Sequence, residues 1–201
     1  MKFENYDVII VGSGVSGLYA ALNLNLNLKI LMLSKKELTL CNSALAQGGI
    51  AAVTTDNDSF ESHIKDTMIA GKNENNIDAV TKLIKEGPSD IFKLIELGVE
   101  FDKNDDGSYN MTLEGGHSLP RILHRKDSTG NAIVTALARE IVKCSNVTIS
   151  QNTQVIKLAK KEDVFFVYSV DVEVHGDEEK IIKRCNSSKV IYVKPFTYEL
   201  P

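Results

Sequence analysis

The chain has 201 residues, 43% of them hydrophobic and 25% charged, with a net charge of -4. That composition fits one soluble globular domain with a sizeable core, and the excess of Asp and Glu over scattered Lys and Arg argues against nucleic acid as a partner. No apolar run reaches the roughly 20 residues of a membrane helix, and residues 1–7 lack the basic start and long apolar stretch of a signal peptide, so a cytoplasmic protein with no membrane association is expected. Cys41, Cys144 and Cys185 are an odd number without paired or metal-like spacing, which predicts free thiols and no metal site.

Residues 6–11 (YDVIIV) form a short apolar run ended by glycine, the pattern of a buried parallel strand. A glycine-rich turn at 12–17, an amphipathic helix over 18–27 and a second apolar strand over 29–33 complete a βαβ unit of about 30 residues. Residues 34–55, rich in Gly, Ala, Ser and Asn, read as loop. Three helices follow: one capped by Ser59 and ended by Gly71, one from Asn76 or Asp78 to Gly87, and one from Pro88 to Gly98. Asn104 to Gly107 (NDDG) predicts a tight turn between strands. A helix over 131–144 should be capped by Asp127 or Thr129, and 147–151 is a further strand. Residues 153–193 carry a β pattern in four segments, with turns at 160–163 and 176–179. The fold class is therefore α/β: a Rossmann-like domain with a parallel sheet, a helical insert and a β-rich segment.

Gly12, Ser13, Gly14, Val15, Ser16 and Gly17 make a G-x-G-x-x-G. The first glycine permits a sharp exit from the strand, the second lets the backbone approach a pyrophosphate, and the third lets the helix pack on the sheet. The anion then meets unpaired N–H groups and the dipole at the helix N-terminus. A glycine turn that holds no ligand is the bland alternative, and the strand–turn–helix context argues against it. The acidic residue that usually follows the second strand is replaced by Ser34, Lys35 and Lys36, with Glu37 slightly late.

Asn42, Ser43, Ala44, Leu45, Ala46, Gln47, Gly48, Gly49, Ile50, Ala51 and Ala52 resemble the flavin-contacting loop of the superfamily that holds succinate dehydrogenase, fumarate reductase and L-aspartate oxidase. Small residues let backbone run flat along an isoalloxazine ring and donate N–H groups to it. Two features resemble the L-aspartate oxidase branch. Members that attach FAD covalently do so through a histidine five residues before the loop glutamine; Asn42 stands there, which implies non-covalent FAD. Glu114, Gly115, Gly116, His117 and Ser118, followed by Arg121 to His124 and Asp127 to Gly130, are similar to the form that L-aspartate oxidase has in this region. A carboxylate such as Glu114 suits an α-ammonium and not a plain dicarboxylate.

The resemblance implies oxidation of L-aspartate to iminosuccinate, the first step toward quinolinate and NAD, with hydride passing to the flavin and electrons going on to O2 or fumarate. Quinolinate synthase would be a pathway partner. Glu114, His117 and Arg121 are the implied catalytic residues. Besides the glycine turn and the loop 42–49, Lys35, Gln154 and Val155 are the implied FAD contacts. For each side chain a plainer role stands beside this one: a solvated turn carboxylate at Glu114, satisfied histidines at 117 and 124, a salt bridge at Arg121. The resemblance runs to about Val193, so 1–193 is expected to be the front part of an FAD-binding domain. Residues 194–201, with two prolines and no glycine, depart from the glycine turn expected there, and the later capping and helical domains are not seen. The 201-residue chain by itself is therefore expected to bind FAD poorly and not to turn over aspartate. Two rival readings are a fumarate reductase or succinate dehydrogenase-type flavoprotein, and an inactive remnant that binds only FAD or a partner chain.

Overall fold

A computed structural model describes residues 3–171 and 182–192, the latter segment and Phe3 as backbone. The expected turn at 176–179, His175 and the tail from 193 onward lie outside the described residues.

In chain order the elements are β1 (Phe3–Val11), α1 (Val15–Asn23), β2 (Ile30–Leu33), a 3-10 turn (Asn42–Leu45), β3 (Ile50–Ala51), α2 (Phe60–Ala70), α3 (Ile77–Glu96), β4 (Met111–Thr112), β5 (Ile122–Leu123), α4 (Thr129–Ile141), β6 (Val147–Ser150), β7 (Thr153–Lys161), β8 (Val164–Asp171) and β9 (Ile182–Tyr192). The chain folds as two units, Met1–Ala44 with Val134–Pro201, and Leu45–Ile133.

The first unit is built on a six-stranded sheet ordered β6-β2-β1-β9-β8-β7. β6, β2, β1 and β9 run parallel, while β8 and β7 return antiparallel. This is the Rossmann-like α/β architecture that the apolar runs predict. Ile9, Leu31, Leu33 and Val167 pack with Tyr6 into one buried cluster. Ile10, Ile30, Met32 and Leu18 are also fully buried, because a parallel sheet is covered on both faces and leaves no polar side to its strands. The last two segments of the β pattern form a single strand: β9 continues through Asn186, Ser187 and Ser188, held in register by β1 and, along its first half, by β8.

The second unit joins α2 and α3 to a small sheet ordered β3-β5-β4. Ser59 caps α2 by accepting from the Ser62 N–H at 3.1 Å, and Asn76 caps α3 by accepting from the Ala79 N–H at 3.0 Å, as short polar side chains do at a free helix N-terminus. The two helices expected on either side of Pro88 are one helix. Its buried stripe Val80, Ile84, Ile91 and Leu94 keeps its period across the proline, so packing of one continuous apolar face outweighs the lost backbone hydrogen bond. The NDDG turn forms as expected, bracketed by a Lys103–Tyr109 bridge. α4 departs from its expected capping: the Thr129 hydroxyl accepts from the Arg125 N–H at 2.9 Å, outside the helix.

Candidate functional site

The glycine turn sits where the topology of such sheets places a dinucleotide, at the C-terminal end of β1. Gly12 has a φ of 108°, and Gly14 is the N-cap of α1 without any side-chain cap bond. A Cβ at Gly17 would lie 2.2 Å from the Gly12 carbonyl oxygen, so any larger residue would push α1 off the strand exit. No acidic residue stands in the first turn of α1. The helix end therefore keeps the dipole-positive character that an anion needs, with no carboxylate of its own to oppose it. Ser43 reaches this end: its hydroxyl accepts from the Val15 N–H at 3.2 Å. One residue of the second motif thus meets the first.

The strand exits are tied to one another. Ser13 and Ser34 share a buried hydroxyl contact of 2.8 Å, and Thr153 donates its N–H to the Ser34 carbonyl at 2.8 Å. Ser34, where an acidic residue usually stands, is thus committed inside the chain, and Lys35 beside it is exposed. Gln154 and Val155 lie on β7 opposite Val170 and Ser169; Val155 packs on the apolar cluster of the sheet.

In the second unit the loop 45–49 is exposed, with Leu45 at 77%. Ala46 accepts from the Gly130 N–H at 2.9 Å, which ties the loop to the start of α4. A Cβ at Gly49 would lie 2.2 Å from Ile122 Cγ2 and 2.4 Å from the Leu123 oxygen, so a glycine is required there by close approach of β5. At Gly48 a Cβ would meet Glu114 Oε2 at 4.0 Å. The fold therefore brings the Glu114 carboxylate alongside the loop, 66 positions away in sequence.

Arg121 is 1% exposed and has every N–H engaged by the chain itself. Its Nε and Nη2 donate to the two Asp58 oxygens at 2.7 and 2.8 Å. Nη2 also donates to Ser62 Oγ at 3.1 Å, Nη1 donates to Asp66 Oδ2 at 2.7 Å, and Nη1 lies 3.4 Å from His117 Nδ1. Of the two roles open to Arg121, the geometry is that of the salt bridge, with no donor free to clamp a substrate. Asp66 also accepts from the Ser118 N–H and hydroxyl at 2.8 and 2.7 Å. Burial pushes the Asp66 carboxyl up, and the Ser118 and Arg121 donors more than offset it, holding it below its ordinary range. His63, 6% exposed, packs its ring 5.5 Å from that of His117. Its pKa is lowered by burial first, then by Arg121 and His117. His124 Nδ1 lies 3.3 Å from Asp102 Oδ2.

Asp58, Asp66 and Ser62 are absent from the sequence reading, and His63, which carries no motif and reads as a surface or packing residue, is buried against His117. Part of the signal was available: Ser62 and Asp66 stand four apart on α2 and so project from one face of it, while Asp58 precedes the helix N-cap. What the sequence could not supply was the buried cation they converge on. Among the described residues no cluster of His, Cys, Asp and Glu suits a metal ion, and no helix is long and apolar enough to cross a membrane.

The family model described as FAD binding domain matches residues 7–192. The chain belongs to this family of FAD binding domains. Its cofactor is FAD, and the helix end free of acidic residues and the tight glycine turn fit a dinucleotide pyrophosphate. The chain is 47% identical over 152 residues to an L-aspartate oxidase of Clostridium perfringens, which covers 76% of this chain and 34% of that protein. It is 45% identical over 149 residues to an L-aspartate oxidase of Acinetobacter baylyi, covering 74% and 27%. The chain thus spans about a third of the length of these relatives. Among solved structures, a quinol fumarate reductase of E. coli matches with a TM-score of 0.89 at 25% identity, over 96% of this chain and 33% of that one. A flavocytochrome c3 fumarate reductase matches with a TM-score of 0.79 at 22% identity, over 94% and 33%, and shows the shared fold.

Proposed function

We propose that this FAD binding domain serves an L-aspartate oxidase, which converts L-aspartate to iminosuccinate with O2 or fumarate as electron acceptor and passes its product toward a quinolinate synthase. FAD, when bound, would accept the α-hydrogen of the substrate as hydride. The chain's own residues bind and orient. Amides of residues 12–17 and the N-terminus of α1 would hold the pyrophosphate, Lys35, Gln154 and Val155 would lie toward the adenosine half, and residues 42–49 would run along the ring. Asn42 offers no nucleophile for a flavin, so the cofactor is held without a covalent bond.

The observation that carries the substrate assignment is the Glu114 carboxylate beside Gly48. A carboxylate at the loop that meets the ring attracts the ammonium of an α-amino acid and repels a dianion without one. His117 stands three residues on, in the same loop. The names of the curated relatives support the same reading.

Two measurements test it. Acid precipitation of the flavin-loaded protein should leave all flavin in the supernatant; flavin in the pellet means a covalent link and contradicts the reading of Asn42. For the substrate, residues 7–192 are grafted in place of the matching stretch of the C. perfringens relative. Under anaerobic conditions L-aspartate should bleach the flavin and succinate should not, and Glu114→Gln should raise the KM for L-aspartate by about tenfold or more. Bleaching by succinate in preference to L-aspartate would support a dicarboxylate dehydrogenase.

A further inference from the structure

His117 is among the catalytic residues the resemblance implies, and the geometry points to a defined role for it: we propose that Asp58 and Asp66, acting through Arg121, fix His117 in the tautomer that carries its proton on Nε2. The ring is then a hydrogen-bond donor to a ligand and not a proton acceptor. The inference rests on the proposed function only for the identity of that ligand, an anionic acceptor such as a substrate carboxylate, because the tautomer itself is a property of the ligand-free chain.

The argument begins with what a guanidinium can do. It offers five N–H donors in a fixed plane and accepts nothing. Asp58 takes two of these donors as a bidentate pair, Ser62 takes a third and Asp66 a fourth. The remaining Nη1 proton faces His117 Nδ1 at 3.4 Å. A ring nitrogen that meets an N–H donor must present its lone pair, so in the neutral imidazole the proton lies on Nε2. A proton on Nδ1 would set two donors against each other and place a cation against a cation.

Arg121 cannot turn away to relieve such a clash. Its side chain is 1% exposed, and the carboxylates that grip it are themselves 3% and 11% exposed. Both are anchored in turn. Asp58 Oδ1 accepts from the Ser59 N–H at 2.8 Å at the start of α2, and Asp66 Oδ2, on α2, accepts from the Ser118 N–H and hydroxyl. The last contact closes the loop on itself: the residue after His117 is fastened to the same carboxylate that orients Arg121. Asp58, Asp66 and Arg121 are thus positioning residues for the loop 114–118, and none of them need touch a substrate. His63 packs its ring 5.5 Å from that of His117, and its Nδ1 is buried without a hydrogen-bond partner among the described residues. That orphaned nitrogen supplies no competing acceptor or donor bond to His117.

The consequence for chemistry is a division of labour within one loop. Glu114 supplies a negative acceptor for an ammonium, and His117 supplies a neutral donor for a carboxylate oxygen. Proton removal falls to another group.

The test is nitrogen-resolved NMR of the purified 201-residue chain labelled with 15N-histidine. The four histidines are assigned by single His→Gln variants. The result expected at a pH where His117 is neutral is a long-range correlation pattern with Nε2 protonated and Nδ1 bare. An Nδ1–H tautomer, or an even mixture of the two, would overturn the proposal. Asp66→Asn keeps the shape of the side chain and removes its charge, so Nη1 is held less firmly; the Nε2–H population of His117 should fall while that of His124, held by Asp102, stays unchanged. An unchanged His117 signal in a folded Asp66→Asn chain would overturn the positioning role. Should that variant not fold, Ser62→Ala removes one Arg121 contact more gently and is read by the same criterion. Because no flavin or substrate is present, failure of this test leaves the aspartate assignment standing, and failure of the substrate comparison leaves the tautomer standing.

Discussion

Arg121 sits, among the described residues, where an ion pair with two carboxylates is almost wholly out of water. Asp58, just before the N-cap of α2, and Asp66, on α2, both grip it, and removing the cation would leave both carboxylates buried without their counter-charge. Breaking such a pair by deleting one partner costs about 3–5 kcal/mol. Arg121→Met should therefore lower the unfolding free energy read from urea titrations by that amount, and Arg121→Met combined with Asp58→Asn and Asp66→Asn should recover a large part of it; equal losses in single and triple variants would contradict this account. His63 adds a pH dependence. Its folded pKa lies below the ordinary 6.5 because of burial, Arg121 and His117, against the opposing pull of Asp58 and Asp66. The unfolded chain thus binds the proton more readily, so the stability held by neutral His63 is present above 6.5 and is lost as the pH falls through the folded value. Asp66 acts in the same direction at lower pH: its contribution is present above the ordinary 3.8 and fades as the pH falls through its depressed value. Urea midpoints measured from about pH 8 down to about pH 5 should fall less steeply for His63→Gln than for the parent chain.

At the scale of elements, the part of the site made of glycines was legible because Gly12, Gly17 and Gly49 each have a backbone reason. Gly17 packs against the Gly12 carbonyl, and Gly17→Ala should abolish FAD binding and shift the thermal midpoint down, since the contact is with backbone that cannot yield. The loop residues 42–49 and Glu114 were likewise readable as a pattern. The buried polar cluster was not, because its members look like ordinary surface residues of a capped helix until Arg121 is folded into them. The split of α3 at Pro88 was misread for a physical reason as well. Gly87 precedes the proline, and a Cβ there would meet nothing within 4 Å outside its own helix and chain neighbours. What a Cβ would meet is the proline ring, the clash that usually drives a pre-proline residue out of the helix. Glycine removes it, and Ser89 donates its hydroxyl to the Glu86 carbonyl at 2.8 Å next to the gap. Pro88→Ala should stabilise the chain by on the order of 1 kcal/mol. Gly87→Ala should give about 0.5–1 kcal/mol only in the Pro88→Ala background. Additive effects of the two changes, measured by denaturant unfolding, would show that the pre-proline clash plays no part.

For the molecule as a whole, the βαβ unit, the glycine turn and the small-residue loop were legible together because they obey one constraint, that backbone must approach a flat dinucleotide closely, while the order of the strands was not. The central claim is that residues 12–17 meet the pyrophosphate and residues 42–49 meet the ring. A crystal structure of the chain with saturating FAD tests it most directly. The result expected is phosphate oxygens within hydrogen-bond distance of the amides in the turn 12–17, with the isoalloxazine edge against Gln47, Gly48 and Gly49 and no bond from Asn42. An FAD bound elsewhere on the chain, or a ring that leaves the loop 42–49 untouched, would contradict it.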